Sequence, residues 1–448
     1  MSPPFLRVQF GGLQIKGEKL EIREYYSRIF EKLERGFEFS HYVLAYGNDL
    51  RLRDMAHGGP PRDESALMVA VEPRDQLWDF TVNWGLEVFI PIVGHHSQAI
   101  LSTLDYEIYL DDSTRLYADK GSQWHYFHNY IGPVTTFIAD KLEEHKIPYF
   151  TDMTPSGGHF LFWVLQGTEE WKRLSKIGFL EEDLKTAYRY DDPADLKRIP
   201  KITLEAGYVY SGLGRLWEYL SRLAKEQVRT GAKELPLTLS DPEHKCVNLD
   251  ITQYGDPAFM RIMRAPFSAH KKRIKVIPGA APLVDVPIWH YDGFRKRGEM
   301  DFGYLIDCMW DLEKALEHSR QFTGSIPKAN GGLVGLIEEY EHSALFQYHQ
   351  EMDYQPDLER QEAFARAKAD GRLNDKTRGM IEHPNPRALD PRSLIKLAHD
   401  LKENGWHPKH IGNLIADLYE QPQHGWNCDW MKYPSRTRGN FWARIYGF

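Results

Sequence analysis

Residues 104–110 read Leu104-Asp105-Tyr106-Glu107-Ile108-Tyr109-Leu110, an alternation of apolar and acidic side chains. Successive side chains of a β-strand point to opposite faces. The pattern therefore predicts a strand that buries one face and presents Asp105 and Glu107 together on the other. Two adjacent carboxylates repel each other, and a divalent cation between them relieves that repulsion. An exposed strand with two solvated acids gives the same pattern, so the segment alone leaves both interpretations open.

Further acids lie near this strand and on another predicted strand. Asp111 and Asp112 follow at once and are rival metal ligands, which we interpret as the turn that ends the strand. Asp250 ends a second apolar run. If the two strands are neighbours, Asp105, Glu107 and Asp250 would hold two Mg²⁺ or Mn²⁺ ions about 3.5–4 Å apart, as nucleotidyl transfer requires.

A basic loop follows the third acid closely and reads Arg264-Ala265-Pro266-Phe267-Ser268-Ala269-His270-Lys271. Arginine and lysine side chains bind phosphate groups, and serine and histidine can contact the same oxygens. Arg264, Ser268, His270 and Lys271 are therefore predicted to bind a triphosphate. A basic surface turn that contains proline produces a similar sequence.

A glycine-rich turn, Thr154-Pro155-Ser156-Gly157-Gly158-His159, runs directly into apolar residues 160–165. Paired glycines let backbone N–H groups approach an anion closely. Ser156, Gly157, Gly158 and His159 are therefore candidate nucleotide ligands. Pro-Ser-Gly-Gly is also a good hairpin turn on its own, and a single histidine at a strand start is more often structural.

The order of these motifs resembles that of the archaeo-eukaryotic primase superfamily, above all the catalytic small subunit of primases and the related primase-polymerases. In that family, motif I is a strand-borne D-x-D or D-x-E, which Asp105 and Glu107 match. Motif II is a Ser/Gly-rich turn that ends in histidine, matched by Ser156 and His159. Motif III is an apolar residue followed by aspartate, matched by Asp250.

The loop after motif III is the most specific part of this resemblance, since residues 264–272 match the family's S/A-P-F-S-x-H-x-K pattern. Fainter similarity lies in residues 23–30, in Tyr46-Gly47-Asn48 and in Arg53-Asp54. The resemblance implies an α+β fold with a primase-like catalytic domain over residues 1–298, built on a mixed or antiparallel sheet with flanking helices. It also implies a nucleotidyltransferase, a DNA primase or primase-polymerase that uses two Mg²⁺ or Mn²⁺ ions.

Two departures from the family concern cations and zinc. Motif II lacks the arginines that primase subunits often carry, so Arg264, Lys271 and Lys272 are expected to supply positive charge for the triphosphate. The chain has three cysteines, none between motifs I and II and none in C-x-x-C spacing. Neither a structural zinc site nor an iron–sulfur cluster is expected.

Composition is typical of an intracellular enzyme: of 448 residues, 42% are hydrophobic and 27% charged. No apolar run approaches the ~20 residues of a membrane helix, and so few cysteines indicate a reducing compartment. We therefore expect a cytoplasmic protein with no membrane partner. The net charge of −8 argues against indiscriminate nucleic-acid binding but allows a local basic groove.

Expected partners are nucleoside triphosphates and a single-stranded DNA template, and the resemblance also points to other replication proteins. Lys272 and Arg273, in the basic loop, are candidate nucleic-acid ligands. The last stretch of the chain interleaves aromatic residues with arginines, which suits stacking on unpaired bases. Its candidates are Arg436, Arg438, Trp442 and Arg444. The same composition suits the core of a small helical domain with the arginines at its rim.

Strand patterns largely vanish after about residue 301, and helical patterns over 302–318, 333–349 and 358–368 take over. We therefore predict an all-helical C-terminal region with a connecting part, 299–380, and a small module, 381–448. Pro391 and Pro408 each open a helix in that module.

Two other function classes stay open. One is a catalytically weak replication or defence adaptor that keeps a primase fold and binds nucleotide or DNA, although the presence of all three acids argues against it. The other is a metal-dependent nuclease, which has no need for a phosphate-binding loop.

Overall fold

The structure is a computed structural model that describes most of the chain from residue 22 onwards. The described ranges are 22–39, 42–46, 69–70, 87–94, 97–188, 202–228, 235–240, 245–258, 261–270, 272–277, 280–383, 391–420 and 434–448. Lys271, together with the motif-like residues 47–48 and 53–54, lies outside them.

The strands form two sheets and a two-stranded ribbon. They are β1 Tyr42–Tyr46, β2 Val69–Ala70, β3 Glu87–Pro91, β4 Ala99–Tyr109, β5 Tyr149–Thr154, β6 Gly157–Leu165, β7 Leu237–Leu239, β8 Cys246–Asp250, β9 Ile262–Arg264, β10 Ala269–His270, β11 Leu283–Val284, β12 Val286–Tyr291 and β13 Lys296–Arg297. The large sheet has the order β13-β12-β5-β6-β4-β8-β7, the small sheet β2-β1-β3-β9, and the ribbon β10-β11. Strands β7 and β8 run parallel whereas β4 runs antiparallel to β6 and β8, so the large sheet is mixed.

Helices flank the sheets and predominate among the described residues after 301. They are α1 Ile22–Gly36, α2 Thr114–Tyr117, α3 Lys120–Tyr126, α4 Gly132–Glu144, α5 Glu169–Ile177, α6 Glu182–Tyr188, α7 Leu204–Gln227, α8 Lys272–Val276, α9 Phe302–Trp310, α10 Leu312–Ser319, α11 Leu333–Glu341, α12 Ala344–Tyr354, α13 Arg360–Ala369, α14 Asp375–Glu382, α15 Pro391–Glu403, α16 Pro408–Glu420 and α17 Ser435–Gly447. The predicted α+β class, with a mixed sheet and flanking helices, is confirmed. None of the helices in the described ranges combines the length and apolarity needed to span a membrane.

Strand β4 lies between β6 and β8 in the large sheet, and its alternating sequence places different side chains on the two faces. On one face, the Tyr106 hydroxyl lies 2.9 Å from Thr135 Oγ1 of α4, and Trp217 Nε1 of α7 donates to Ser102 Oγ at 2.9 Å. Helices α4 and α7 therefore cover this face. The two acids of β4 project from the opposite face, because residues of a strand alternate in direction.

A turn between β9 and β10 covers part of that opposite face. Its Phe267 packs edge-on against Phe150 of β5, with ring centroids 6.3 Å apart. Phe267 has φ of 66°, a left-handed conformation that costs on the order of 1–3 kcal/mol for such a residue. Helix α1 stabilises the turn, since Tyr25 Oη donates to Phe267 O at 2.9 Å and Ala269 N donates to Tyr26 Oη at 2.8 Å.

Two of the helices predicted after residue 301 are in fact broken. The pattern over 302–318 divides at Asp311, whose carboxylate accepts hydrogen bonds from the first backbone N–H groups of α10. The pattern over 333–349 divides at Ser343, which caps α12 in the same way. Short polar side chains compete with helical hydrogen bonds, so each residue ends one helix and begins the next.

The C-terminal helix α17 packs against residues of the predicted catalytic domain. Arg438 Nε donates to Asp256 Oδ1 at 2.6 Å, and Arg444 Nε donates to the fully buried Glu218 of α7 at 3.1 Å. A methyl group on Gly255 would lie only 2.7 Å from the ring of Phe441. The last helix and the sheet domain are therefore in intimate contact.

Candidate active site

Four adjacent strands of the large sheet place ionisable side chains in one row. The direct cross-strand pairs are Asp152 with His159, His159 with Asp105, and Asp105 with Asp250. Directly opposed residues of antiparallel strands project to the same face, so the row runs across β5, β6, β4 and β8. Glu107 lies two residues along β4 and shares this face. Three acids from two separate motifs, Asp105 and Glu107 from the first and Asp250 from the third, are thus brought together.

The rival acids Asp111 and Asp112 lie outside the row. Strand β4 ends at Tyr109, and both residues are exposed beyond it. Asp112 Oδ1 accepts a hydrogen bond from Thr114 N at 3.0 Å. They therefore form a turn, as their sequence indicates.

Burial places the central acids in an unfavourable setting for negative charge. Burial raises the pKa of Asp105 to about 7, and the neighbouring acids Glu107 and Asp250 add to this rise. His159, whose Nε2 lies 3.8 Å from Asp105 Oδ1, opposes it. Burial also raises the pKa of Asp250, against a hydrogen bond from Thr252 N to its Oδ1 (2.8 Å). Acids with raised pKa values on one face indicate a site where a bound cation would stabilise the ionised carboxylates.

Glu107 already has a positive neighbour. Lys272 Nζ donates to Glu107 Oε2 and also contacts Ser156 Oγ at 3.0 Å. Ser156 Oγ and Tyr109 Oη donate to the same carboxylate at 2.9 and 2.7 Å. Burial would raise the pKa of Glu107, but Lys272 and these hydrogen bonds lower it to about 2. Lys272, which we predicted to be a nucleic-acid ligand, therefore lies among the predicted catalytic acids.

Arg264 lies between two buried acids that the sequence patterns did not identify. Its Nη2 donates to Glu87 at 3.0 Å, and its Nε is 3.8 Å from Asp285 Oδ2. Burial opposes the charge of Arg264, but Asp285 and Glu87 raise its pKa. The guanidinium group is therefore ionised and neutralises internal carboxylates at this place.

The remaining described residues of the basic loop stabilise its shape. Ser268 is fully buried, and its Oγ accepts a hydrogen bond from Val88 N of β3 at 2.7 Å. His270 Nδ1 accepts one from Lys272 N at 3.0 Å. These bonds attach the loop to the small sheet and fix the backbone position of Lys272, the first residue of α8. The predicted phosphate contacts of Ser268 and His270 stay predictions.

Gly157 and Gly158 begin β6 immediately after a tight hairpin turn, and neighbouring atoms leave neither glycine room for a side chain. A Cβ atom on Gly157 would overlap the backbone oxygen of Tyr106. The Gly157 N–H group donates to Thr154 Oγ1 at 3.1 Å. Close strand packing thus explains the glycine pair, and it brings Ser156 beside the acids.

Gly157→Ala should lower the free energy of unfolding by about 3 kcal/mol or more, because its methyl group would overlap the backbone in the middle of the sheet. Gly379→Ala is a matched control, since Gly379 of α14 has open space around its Cβ position and alanine favours a helix by about 1 kcal/mol. Urea denaturation of both variants measures the difference. Equal stability of the two would contradict this packing of β6 on β4.

The acids that sequence reasoning missed share a recognisable signal. Glu87, Asp152 and Asp285 are each buried, and each is a lone acid within or beside an apolar strand; Asp285, for example, stands between Val284 and Val286. A buried carboxylate is costly unless it has a partner. A single acid within a predicted buried strand is therefore the feature that could have revealed them.

The candidate nucleic-acid ligands other than Lys272 make internal contacts. Arg273 Nε donates to Tyr117 O at 3.2 Å. Trp442 is 6% exposed and stacks on Tyr446. The arginines of α17 pair with acids, Arg436 with Asp357, Arg438 with Asp256 and Arg444 with Glu218. The packing interpretation explains these contacts, and direct binding of nucleic acid by these residues stays a prediction.

The face thus carries carboxylates able to hold cations, a lysine and a serine at its edge, and a buried histidine in its centre. Asp152 and His159 form the end of the row on β5 and β6, which we call its inner end. Together with Asp285 they form a group that could hold a metal ion. Such an arrangement suits chemistry on a negatively charged, phosphate-bearing substrate. Comparisons of the chain with protein-family models, with curated proteins and with solved structures found no match.

Proposed function

We propose that this chain is a template-directed nucleotidyltransferase, a DNA primase or primase-polymerase that makes or extends primers from nucleoside triphosphates. One observation carries the proposal: Asp105, Glu107 and Asp250 share one face of adjoining strands, with Ser156 and His159 beside them. Chance clustering of three acids is unfavourable where the side chains are half-buried, so their meeting favours a cation site.

The donor set fits Mg²⁺ or Mn²⁺. Carboxylate oxygens are the hard ligands that these ions prefer, and burial raises the pKa values of Asp105 and Asp250, the two acids without a lysine partner of their own. Asp105 and Asp250 would hold the cations, and Glu107 would join them when Lys272 turns towards the nucleotide. Two bound ions would lower the pKa of the primer hydroxyl and neutralise charge on the triphosphate.

The chain's own side chains would orient the nucleotide. Burial lowers the pKa of His159, but the Asp152 and Asp105 carboxylates raise it to about 9. Its Nε2 lies 3.8 Å from Asp105 Oδ1 and, when it carries a proton, could donate that proton to a phosphate oxygen. Lys272 is 37% exposed at its side chain and is therefore able to reach a ligand from its place beside Ser156. Positioning and electrostatics would supply most of the catalysis.

Primer extension tests the proposal against its alternatives. The full chain would be incubated with labelled ribo- or deoxynucleotides, Mn²⁺ and a primed DNA template, and separately with unprimed single-stranded DNA. Template-dependent lengthening of the primer is expected, and new short products on the unprimed strand would identify a primase. Shortened DNA would indicate a nuclease, whereas nucleotide binding without product would indicate an adaptor, and either result would refute the proposal.

Lys272→Met should raise the apparent KM for the incoming nucleotide about tenfold or more, because it removes a charge-assisted contact with phosphate while keeping most of the side-chain volume. Lys245→Met is a matched control, since Lys245 is exposed and lies 3.9 Å from Asp111 outside the row. Steady-state extension at varied nucleotide concentration gives both constants. An unchanged KM in Lys272→Met would remove Lys272 from the triphosphate site.

A further inference from the structure

The inner end of the ionisable row has more carboxylate oxygens than hydrogen-bond donors. Asp152, His159 and Asp285 are 0, 3 and 1% exposed, and a ligand atom from each lies within 4.8 Å of the other two. Within the described residues, Asp152 Oδ2 and both carboxylate oxygens of Asp285 have no hydrogen-bond partner. Buried carboxylate oxygens without partners are costly, so a bound cation would stabilise the group.

Among the described residues, the protein's own cations leave these oxygens without hydrogen bonds. Arg264 Nη2 is engaged by Glu87 at 3.0 Å, which leaves Arg264 Nε 3.8 Å from Asp285 Oδ2, beyond hydrogen-bonding distance. His159 Nδ1 contacts Asp152 Oδ1 at 2.9 Å. The histidine thus contacts one oxygen of one acid, which leaves Asp152 Oδ2 and both oxygens of Asp285 without a hydrogen bond from the residues that the structure describes.

We propose that Asp152, His159 and Asp285 bind a divalent transition-metal ion, Zn²⁺ or Mn²⁺, at a site separate from Asp105, Glu107 and Asp250. One imidazole nitrogen with two carboxylate oxygens is a ligand set for such ions. Mg²⁺ prefers oxygen ligands and retains several waters, which a buried site with an imidazole does not favour.

The ligands come from three segments: Asp152 from β5, His159 from β6, and Asp285 from the residue between β11 and β12. An ion at this place joins those segments and fixes the ring of His159, whose other nitrogen faces Asp105 at 3.8 Å. Its role is therefore structural and orienting. The inference does not depend on nucleotidyl transfer, because a metal that orders these strands would stabilise the fold whatever the reaction.

Metal binding to the full-length chain tests the site directly. Glu107→Gln with Asp250→Asn would provide a parent protein in which the predicted catalytic acids bind ions weakly. After removal of metals with a chelator, the parent would be dialysed against Zn²⁺ alone or Mn²⁺ alone, and bound metal measured by elemental analysis. We expect one equivalent of at least one of these ions and a higher melting temperature in its presence.

Asp285→Asn in the same parent should weaken binding by roughly tenfold or more, since even residues that only support metal ligands have effects of that size. Asp112→Asn makes the same charge change at an exposed position and should leave binding unchanged. Stoichiometric metal in neither dialysis, or unaltered affinity in a folded Asp285→Asn variant, would overturn the proposal. X-ray absorption of the loaded parent needs no further variant: one imidazole nitrogen in the coordination shell supports the site, and an all-oxygen shell refutes it.

Discussion

Asp105→Asn and Asp250→Asn should each lower template-directed nucleotide incorporation by about a hundredfold or more, the size of effect seen when a group that stabilises developing charge is lost. Each substitution removes a carboxylate from the ionisable row and changes little volume. Binding of single-stranded DNA should stay nearly intact. Primer extension under single-turnover conditions measures the first effect, and fluorescence anisotropy with a labelled strand measures the second.

Asp112→Asn is the appropriate comparison for both variants. Asp112 is exposed beyond the end of β4, and its carboxylate accepts hydrogen bonds from Thr114 of the same turn. Its substitution should therefore leave incorporation unchanged. If Asp105→Asn or Asp250→Asn retained near wild-type extension, the metal assignment would be wrong, and Asp111 or Asp112 would become the candidate.

A chain that ends at Met380 should fail to give soluble, folded protein. The truncation removes α17, whose Arg438 and Arg444 neutralise the buried acids Asp256 and Glu218. Breaking one buried ion pair costs about 3–5 kcal/mol, and each large apolar side chain lost from the interior costs about 1.5–3 kcal/mol more. The total approaches the ~5–15 kcal/mol stability of a whole domain.

Size-exclusion chromatography and circular dichroism of the truncated chain, compared with the full chain, provide the measurement. A monomeric, helical product that still extends a primed template would show that residues 381–448 form a module independent of the sheet domain. In that event poor initiation on unprimed DNA would assign the module to template binding, since a start without a primer needs additional binding surface.

The central strand could be predicted because two physical requirements coincide in it. Tyr106 and Ile108 need to be buried, whereas Asp105 and Glu107 cannot be buried unless they have partners. Only a strand, in which successive side chains point to opposite faces, satisfies both requirements. The breaks at Asp311 and Ser343 were not predicted, since helical periodicity continues across each residue. Capping by a short polar side chain interrupts a helix without disturbing its apolar pattern.

The acids of the candidate site could be predicted by residue type, but their neighbours could not. Asp152 meets His159 only through the register of β5 on β6, and a shift of one residue would send either side chain to the other face. Asp285 reaches the same place from the residue before β12, the strand next to β5. Likewise, nothing in the lysine pair at 271 and 272 indicates that Lys272 is the one that contacts Glu107.

Template-dictated incorporation is the most direct test of the proposed chemistry. The full chain would be given a primer on a homopolymeric DNA template, Mn²⁺, and each of the four nucleotides singly, with Asp250→Asn in parallel. We expect wild-type protein to add the complementary nucleotide at least about tenfold faster than any other, and Asp250→Asn to add almost none. Addition of all four nucleotides at similar rates, or no addition by wild-type protein, would contradict a template-directed nucleotidyltransferase.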